Sequence, residues 1–323
     1  MRHLYFCLVF FIGACVGEGT SVLPSHTGAI NEVVIVIDEP IWHGASGDSL
    51  RQSLRSEVPG ISWSEPLFDV IQINSIDFSR IFKTHRNLII VQKGQQSKVY
   101  FDTKTYAQNQ WLCIVEYQKI EDLNRLLGQY APIMAYQIAQ KEQERYTSVL
   151  PPKRQCEALS NGFKGFSLNF GLPSEYKLVL ETNRFYWFEY NPPDKEIVKG
   201  VFVYEYNSTS SFNSNTILSA RDSVLQQFVF GPSEGSYMTT ERLYPPYIST
   251  YTHNTLKGLK VKGLWKMQNA FMGGAFVSHF LNDTINDRVL VIEGFLFNPG
   301  KDKRNSLQEL EWLISDFKIQ FSD

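Results

Sequence analysis

The chain has 323 residues, 31 basic and 33 acidic, with a formal net charge of -2, 43% hydrophobic residues and 20% charged residues. This is an ordinary globular balance with room for one large or two ordinary domains. With no long basic run, the sequence lacks the clustered Lys and Arg that phosphate neutralisation requires, so no nucleic-acid partner is expected.

The chain opens with Arg2, an apolar run Leu8-Val9-Phe10-Phe11-Ile12, then Gly13-Ala14-Cys15. The run is too short for a permanent span, which needs about 20 apolar residues. A basic start, a short apolar stretch and small residues directly before a cysteine read as a lipoprotein signal peptide, cut to leave a lipidated, N-terminal Cys15. An ordinary secretory signal cut nearby is the other reading. Acyl chains on Cys15 make the membrane the first expected partner, at about 0.8 kcal/mol per buried methylene. Residues 1–14 are thus read as signal and 15–29 as a flexible tether of small and polar residues. Val16, not Asp, follows the cysteine. The expected address is therefore the outer membrane facing the periplasm, with the cell surface as the other leaflet.

Glu32 to Asp38 is a continuous apolar run of buried-strand length. Asp48 is placed as the N-cap of a helix carrying Leu50, Leu54 and Val58 on one face. Strands are expected at 68–73, 87–92, 98–101 and 110–117, and a long helix at about 121–145 closes the N-terminal lobe, 30–150. Pro151-Pro152 end that helix. The C-terminal lobe, 151–323, holds expected strands at 176–181, 185–190, 198–206, 247–253, 259–267, 276–281 and 288–297, with helices at 215–227 and 306–317. Residues 282–287 join the last two strands as a hairpin. The fold class is therefore α+β in two lobes, each a mostly antiparallel sheet packed with helices, as an internal duplication would produce.

Cys113 lies within Trp111-Leu112-Cys113-Ile114-Val115, where a buried free thiol is expected, although a disulfide to Cys156 is open. There is no CxxC and no HExxH, so neither metal nor cofactor is expected.

The segments Gly47 to Arg51, Glu65 to Phe68, Arg221 to Ser223, Gly231 to Met238, Trp265, Phe271-Met272 and Val291 to Phe295 carry a resemblance over nearly the whole mature chain. Together they resemble the lipoproteins of domain-of-unknown-function family 4837 from Bacteroidota. The resemblance implies lipidation and lineage but no activity, so it brings no catalytic residues.

Gly231-Pro232-Ser233-Glu234-Gly235 fits the G-x-S-x-G pattern of a hydrolase elbow. That elbow needs strand, turn and helix in order, whereas here a helix precedes and a strand follows. Gly44 to Ser49 sits where phosphate loops sit but lacks the lysine, so helix capping explains it. Aromatics offer more: Trp187 and Tyr190 on one strand, with Tyr237, Tyr247, Glu234 and Glu293, make the candidate binding surface. Thr284, in Asp283-Thr284-Ile285, is a candidate glycosylation position. The expected function is a non-enzymatic binding or assembly component of the cell envelope, anchored through Cys15, with an envelope protein or glycan as partner. An envelope hydrolase using Ser233 or Glu234 is the alternative.

Overall fold

A computed structural model describes residues 23–61, 64–102, 106–149, 166, 168–207, 212–253 and 255–319. Cys7, Cys15 and Cys156 lie outside the described residues. Cys113 is a buried free thiol whose pKa burial pushes up to about 12.

The first domain runs β1 (Glu32–Val36), α1 (Glu39–Trp42), α2 (Ala45–Leu54), β2 (Asp69–Ile73), α3 (Arg80–Lys83), β3 (Asn87–Lys93), β4 (Lys98–Asp102), β5 (Trp111–Tyr117) and α4 (Ile120–Val149). Its five strands lie in the order β2-β1-β3-β5-β4. β1 pairs in parallel with β2 and β3, and β3 with β5; β4 alone is antiparallel. The expectation of an antiparallel sheet here is corrected. β1 is apolar at every interior position because both faces are covered, the condition under which parallel sheets form. Val33, Ile35 and Ile89 pack under α2 and α4, while Val34, Val36 and Leu88 pack against Phe78, Phe82 and Tyr106 on the other face.

Two local readings also change. Gly44, not Asp48, caps α2; Asp48 sits in the first turn, where the helix dipole favours a carboxylate, and meets Arg51 at 2.6 Å. The last part of the expected tether packs down, since Ser25 bridges to Gln108 and Thr27 to His85 along the starts of the parallel strands. Backbone polar groups along that edge need partners, and this segment supplies them.

The second domain runs β6 (Leu168–Phe170), β7 (Lys177–Glu181), β8 (Phe185–Tyr190), β9 (Val198–Asn207), α5 (Ser214–Phe228), β10 (Tyr237–Thr240), β11 (Tyr247–His253), β12 (Leu256–Gln268), β13 (Gly273–Asp283), β14 (Arg288–Phe297), α6 (Arg304–Ser315) and β15 (Phe317–Ile319). Its main sheet is antiparallel in the order β10-β12-β13-β14-β9-β8-β7, with β11 also paired to β12. Alternation divides each strand between two cores. Val291, Phe295, Phe202 and Phe276 face α5, whereas Ile292, Leu296, Val203 and Val277 face α6. Asn213 starts α5 with a capping box, its side chain accepting from the Asn215 and Thr216 amides. The mixed α+β fold in two domain-like regions matches expectation. Duplication does not, because a parallel sheet and an eight-stranded antiparallel sheet have different strand orders.

The two domains meet along α6. Its first amides, Lys303 N and Arg304 N, donate to the Glu65 carboxylate of the first domain at 2.8 and 2.6 Å. Arg304 adds hydrogen bonds to Pro66 O and Asp69, and Asn31 donates to Asn305 Oδ1.

Candidate functional site

At one end of the second sheet three segments converge: the facing ends of β12 and β13, the loop from β14 to α6, and residues 241–246 between β10 and β11. They enclose an open cleft of about 610 Å³, within the range of ligand sites. Each wall has a local cause. Asn269 takes the left-handed conformation, with φ +61°, turning the chain between β12 and β13, and Met267 N donates to Met272 O at 2.8 Å. A Cβ on Gly274 would lie 1.9 Å from Leu296 O and 2.9 Å from Trp265 Nε1, so only glycine lets these strands approach. The Trp265 indole itself donates to Leu296 O at 3.2 Å. Gly300, at φ +66°, reverses the chain ahead of α6.

The lining combines charges of both signs with apolar surface. Glu241 meets Lys266 at 3.3 Å and accepts from Leu243 N at 2.8 Å. That backbone donor first, and Lys266 after it, hold the Glu241 carboxyl below its ordinary pKa. Burial lowers the pKa of Lys303, which also lines the cleft. Tyr244 forms the lip and stays half exposed, and Phe271 stands fully exposed at the turn between β12 and β13. The arrangement can accept hydrogen bonds, pair charges and bury an apolar group. Among the described residues the lining contains no Ser, Cys or His.

The residues read from the sequence as a binding surface are dispersed. Trp187 is half-buried on the α5 side, 5.6 Å from Phe202 and 6.3 Å from Phe295. Tyr190 lies on the opposite side of the same strand, 6.0 Å from Tyr176. Tyr237 pairs with Gln268 at the end of β12, and Tyr247, 49% exposed, follows the cleft's 241–246 segment. Glu234 is exposed in the preceding turn. Glu293 is 0% exposed and belongs to the interior, not to a surface. It accepts from Arg221 Nε at 2.8 Å, Arg221 Nη2 at 2.6 Å and Ser278 Oγ at 2.5 Å.

That interior network continues outward. Arg221 Nη1 donates to Thr240 Oγ1 at 2.9 Å, Thr240 N donates to Asp222 at 2.8 Å, and Arg242 donates to Asp222 at 2.6 Å. Burial opposes both charges, yet Glu293 raises the pKa of Arg221, and Thr240 with Arg242 lowers that of Asp222. The Gly231–Gly235 segment is a turn from α5 into β10. Ser236 Oγ donates to Ser233 O at 2.5 Å and accepts from Ser233 N at 3.1 Å. Thr284 lies in the turn between β13 and β14.

Sequence reasoning missed the cleft because it is assembled from loops far apart in the chain. Gly273-Gly274 and Asn298-Pro299-Gly300 marked two of them as turn signals, and Tyr244-Pro245-Pro246-Tyr247 marked the third. Among curated proteins no relative matches the chain. Solved structures similar to the chain include two of Mog1. The Saccharomyces cerevisiae Ran-binding protein Mog1p has 9% identity and a TM-score of 0.33, covering 47% of this chain and 90% of its own. A point mutant of protein Mog1 has 10% identity and a TM-score of 0.32, covering 48% and 91%. Residues 26–150 match a domain of unknown function, DUF8532. Residues 157–315, holding every wall of the cleft, match a second domain of unknown function, DUF4837, and the chain is a member of that family.

Proposed function

We propose that the protein is a lipid-anchored component of the bacterial cell envelope, facing the periplasm from the outer membrane, and that its cleft receives a segment of an envelope protein. The observation that carries this reading is the cleft itself. A half-exposed Tyr244 lines the cleft together with Glu241 and Lys266, and a fully exposed Phe271 stands two residues before Gly273, another residue of the lining. Aromatic side chains held in water beside a polar cleft are the usual anchors of protein recognition. The partner segment would place an apolar side chain against Tyr244 and polar groups against the Glu241–Lys266 pair.

The anchor follows from Gly13-Ala14-Cys15 after a short apolar run. From Cys15 to Leu23, where the described residues begin, the chain can span no more than about 30 Å. A lipid on Cys15 would therefore keep Leu23, at the start of the first domain, within about 30 Å of the bilayer.

Radiolabelled palmitate should enter the wild-type protein, and Cys15→Ser should abolish the label and release the protein from membranes. A photocrosslinking residue in place of Tyr244 or Phe271 should give one discrete, protease-sensitive adduct in intact cells. The same residue at Thr284 should give none. Equal adducts at all three positions, or none at the cleft, would refute the binding reading while leaving the lipidation result standing.

A further inference from the structure

Sheet edges present unpaired backbone donors and acceptors, and soluble proteins blunt them with charge, bulges or cover. In the two larger sheets most edges are treated this way. β2 begins with Asp69, and β4 begins with Lys98 and ends with Asp102. β7 begins with Lys177, ends with Glu181 and carries a register shift between Leu178 and Leu180. β10 is covered, because Met238 N donates to Val229 O and Phe230 bridges to Tyr237.

β11 is different. Tyr247-Ile248-Ser249-Thr250-Tyr251-Thr252-His253 contains no Lys, Arg, Asp, Glu, Pro or Gly. It runs against β12 for seven consecutive pairs without a register shift. Among the described residues no strand pairs with its outer side and no backbone hydrogen bond reaches it. Its β-branched and aromatic residues are those that favour extended pairing.

The sequence of this edge is also self-complementary. Turned by a two-fold axis through Thr250, a second β11 would set Thr250 opposite Thr250, Ser249 opposite Tyr251, Ile248 opposite Thr252 and Tyr247 opposite His253. Thr–Thr and aromatic or β-branched cross-strand pairs are favourable, and no like charges meet. Because an antiparallel two-fold axis can pass through either kind of residue pair, this register suits whichever backbone groups of β11 face outward. Thr250 is exposed, as is Thr252.

We infer that β11 is a homodimerisation edge, pairing antiparallel with the same strand of a second copy to make one sheet continuous through both chains. The surface is separate from the cleft and does not depend on the binding reading.

Full-length protein should sediment as a concentration-dependent dimer. Thr250→Lys, which sets two ammonium groups face to face on the axis, should raise the dissociation constant at least about tenfold. Its circular dichroism should match wild type, showing that the fold survives. Residues directly opposite in an antiparallel pair have Cα atoms about 4.5–5.5 Å apart, within disulfide reach. Thr250→Cys should therefore form a disulfide-linked dimer under a mild thiol oxidant, above any wild-type background. Thr252→Cys, which faces Ile248 of the other copy, should not. A monomer at all concentrations, a dimer unaffected by Thr250→Lys, or equal crosslinking at both cysteines would overturn the inference.

Discussion

His279 shows how far one residue can be set by its surroundings. It lies on β13, wholly buried on the side facing α6, with neither ring nitrogen hydrogen-bonded among the described residues. Tyr251 stacks on it at 4.2 Å. Burial first, then Lys260, pushes its pKa down to about 3, despite Glu311 nearby, with His253 and Lys262 adding smaller downward pulls. The folded chain thus keeps the imidazole neutral while the unfolded chain takes up a proton below its ordinary value of 6.5. Its contribution to stability is full above that pH and declines as pH falls toward 3. From pH 7 to 4.5 this amounts to about 2–3 kcal/mol. His279→Phe keeps the ring stack and removes the titrating group, so thermal melts across this range should lose the His279 share of their pH dependence, while His26 and His253, whose pKa values burial also lowers, keep a smaller one. An unchanged slope would show that other groups carry it. Below pH 4.5 a second component remains in the variant. Burial raises the Glu311 pKa, but Lys262 and Lys260, at 2.6 and 2.8 Å, outweigh it and bring it to about 2. That stability is present above 4.5 and lost as pH falls toward 2.

At the scale of elements, the Arg221–Glu293 pair joins α5 to β14 with both side chains 0% exposed. The Arg221 guanidinium also lies 3.8 Å from the centre of the Phe276 ring. Removing one partner of such a pair strands a buried charge and costs about 3–5 kcal/mol, whereas replacing both with apolar groups is close to neutral. Glu293→Gln should therefore lower stability in urea by about that amount, and Arg221→Met with Glu293→Leu should recover most of it. If the single variant costs under about 1 kcal/mol, the network is not what holds α5 on the sheet. Nothing in the sequence joined these residues, since 72 positions separate them. The elements themselves were legible. β8, β11 and β14 occupy the expected residues, because alternation or a continuous apolar run bounded by turn residues defines a strand locally. Pairing direction was not legible in the first domain, because a run such as Val33 to Val36 records burial on both faces and not the direction of its neighbours. The cap of α2 was misread because Gly44 contributes no side-chain signal.

At the scale of the whole molecule, the two domains of unknown function are joined through α6. α6 packs on the second sheet through Leu307, Leu310 and Leu313, but its first turn is capped by Glu65 from the first domain. A helix leaves its first amides without intrahelical partners, and a carboxylate there also meets the favourable end of the dipole. Arg304 bonded to Asp69 and Tyr146 packed 5.3 Å from Trp312 extend the same seam. Because Lys303 both donates to Glu65 and lines the cleft, the seam and the cleft share one loop. Glu65→Ala should cost about 1–2 kcal/mol through the lost cap. Its larger consequence lies in cooperativity, since uncapping α6 weakens the seam through which unfolding of one domain reaches the other. Calorimetry of the wild type should give one transition, and Glu65→Ala should split it into two, the lower one accompanied by quenching or release at Trp312 and Trp265. Glu65→Gln, which still accepts hydrogen bonds, should restore part of the coupling. If Glu65→Ala keeps a single transition shifted only in temperature, the domains are coupled through the rest of the seam, Arg304–Asp69 and Tyr146–Trp312, and the cap matters only to α6 itself.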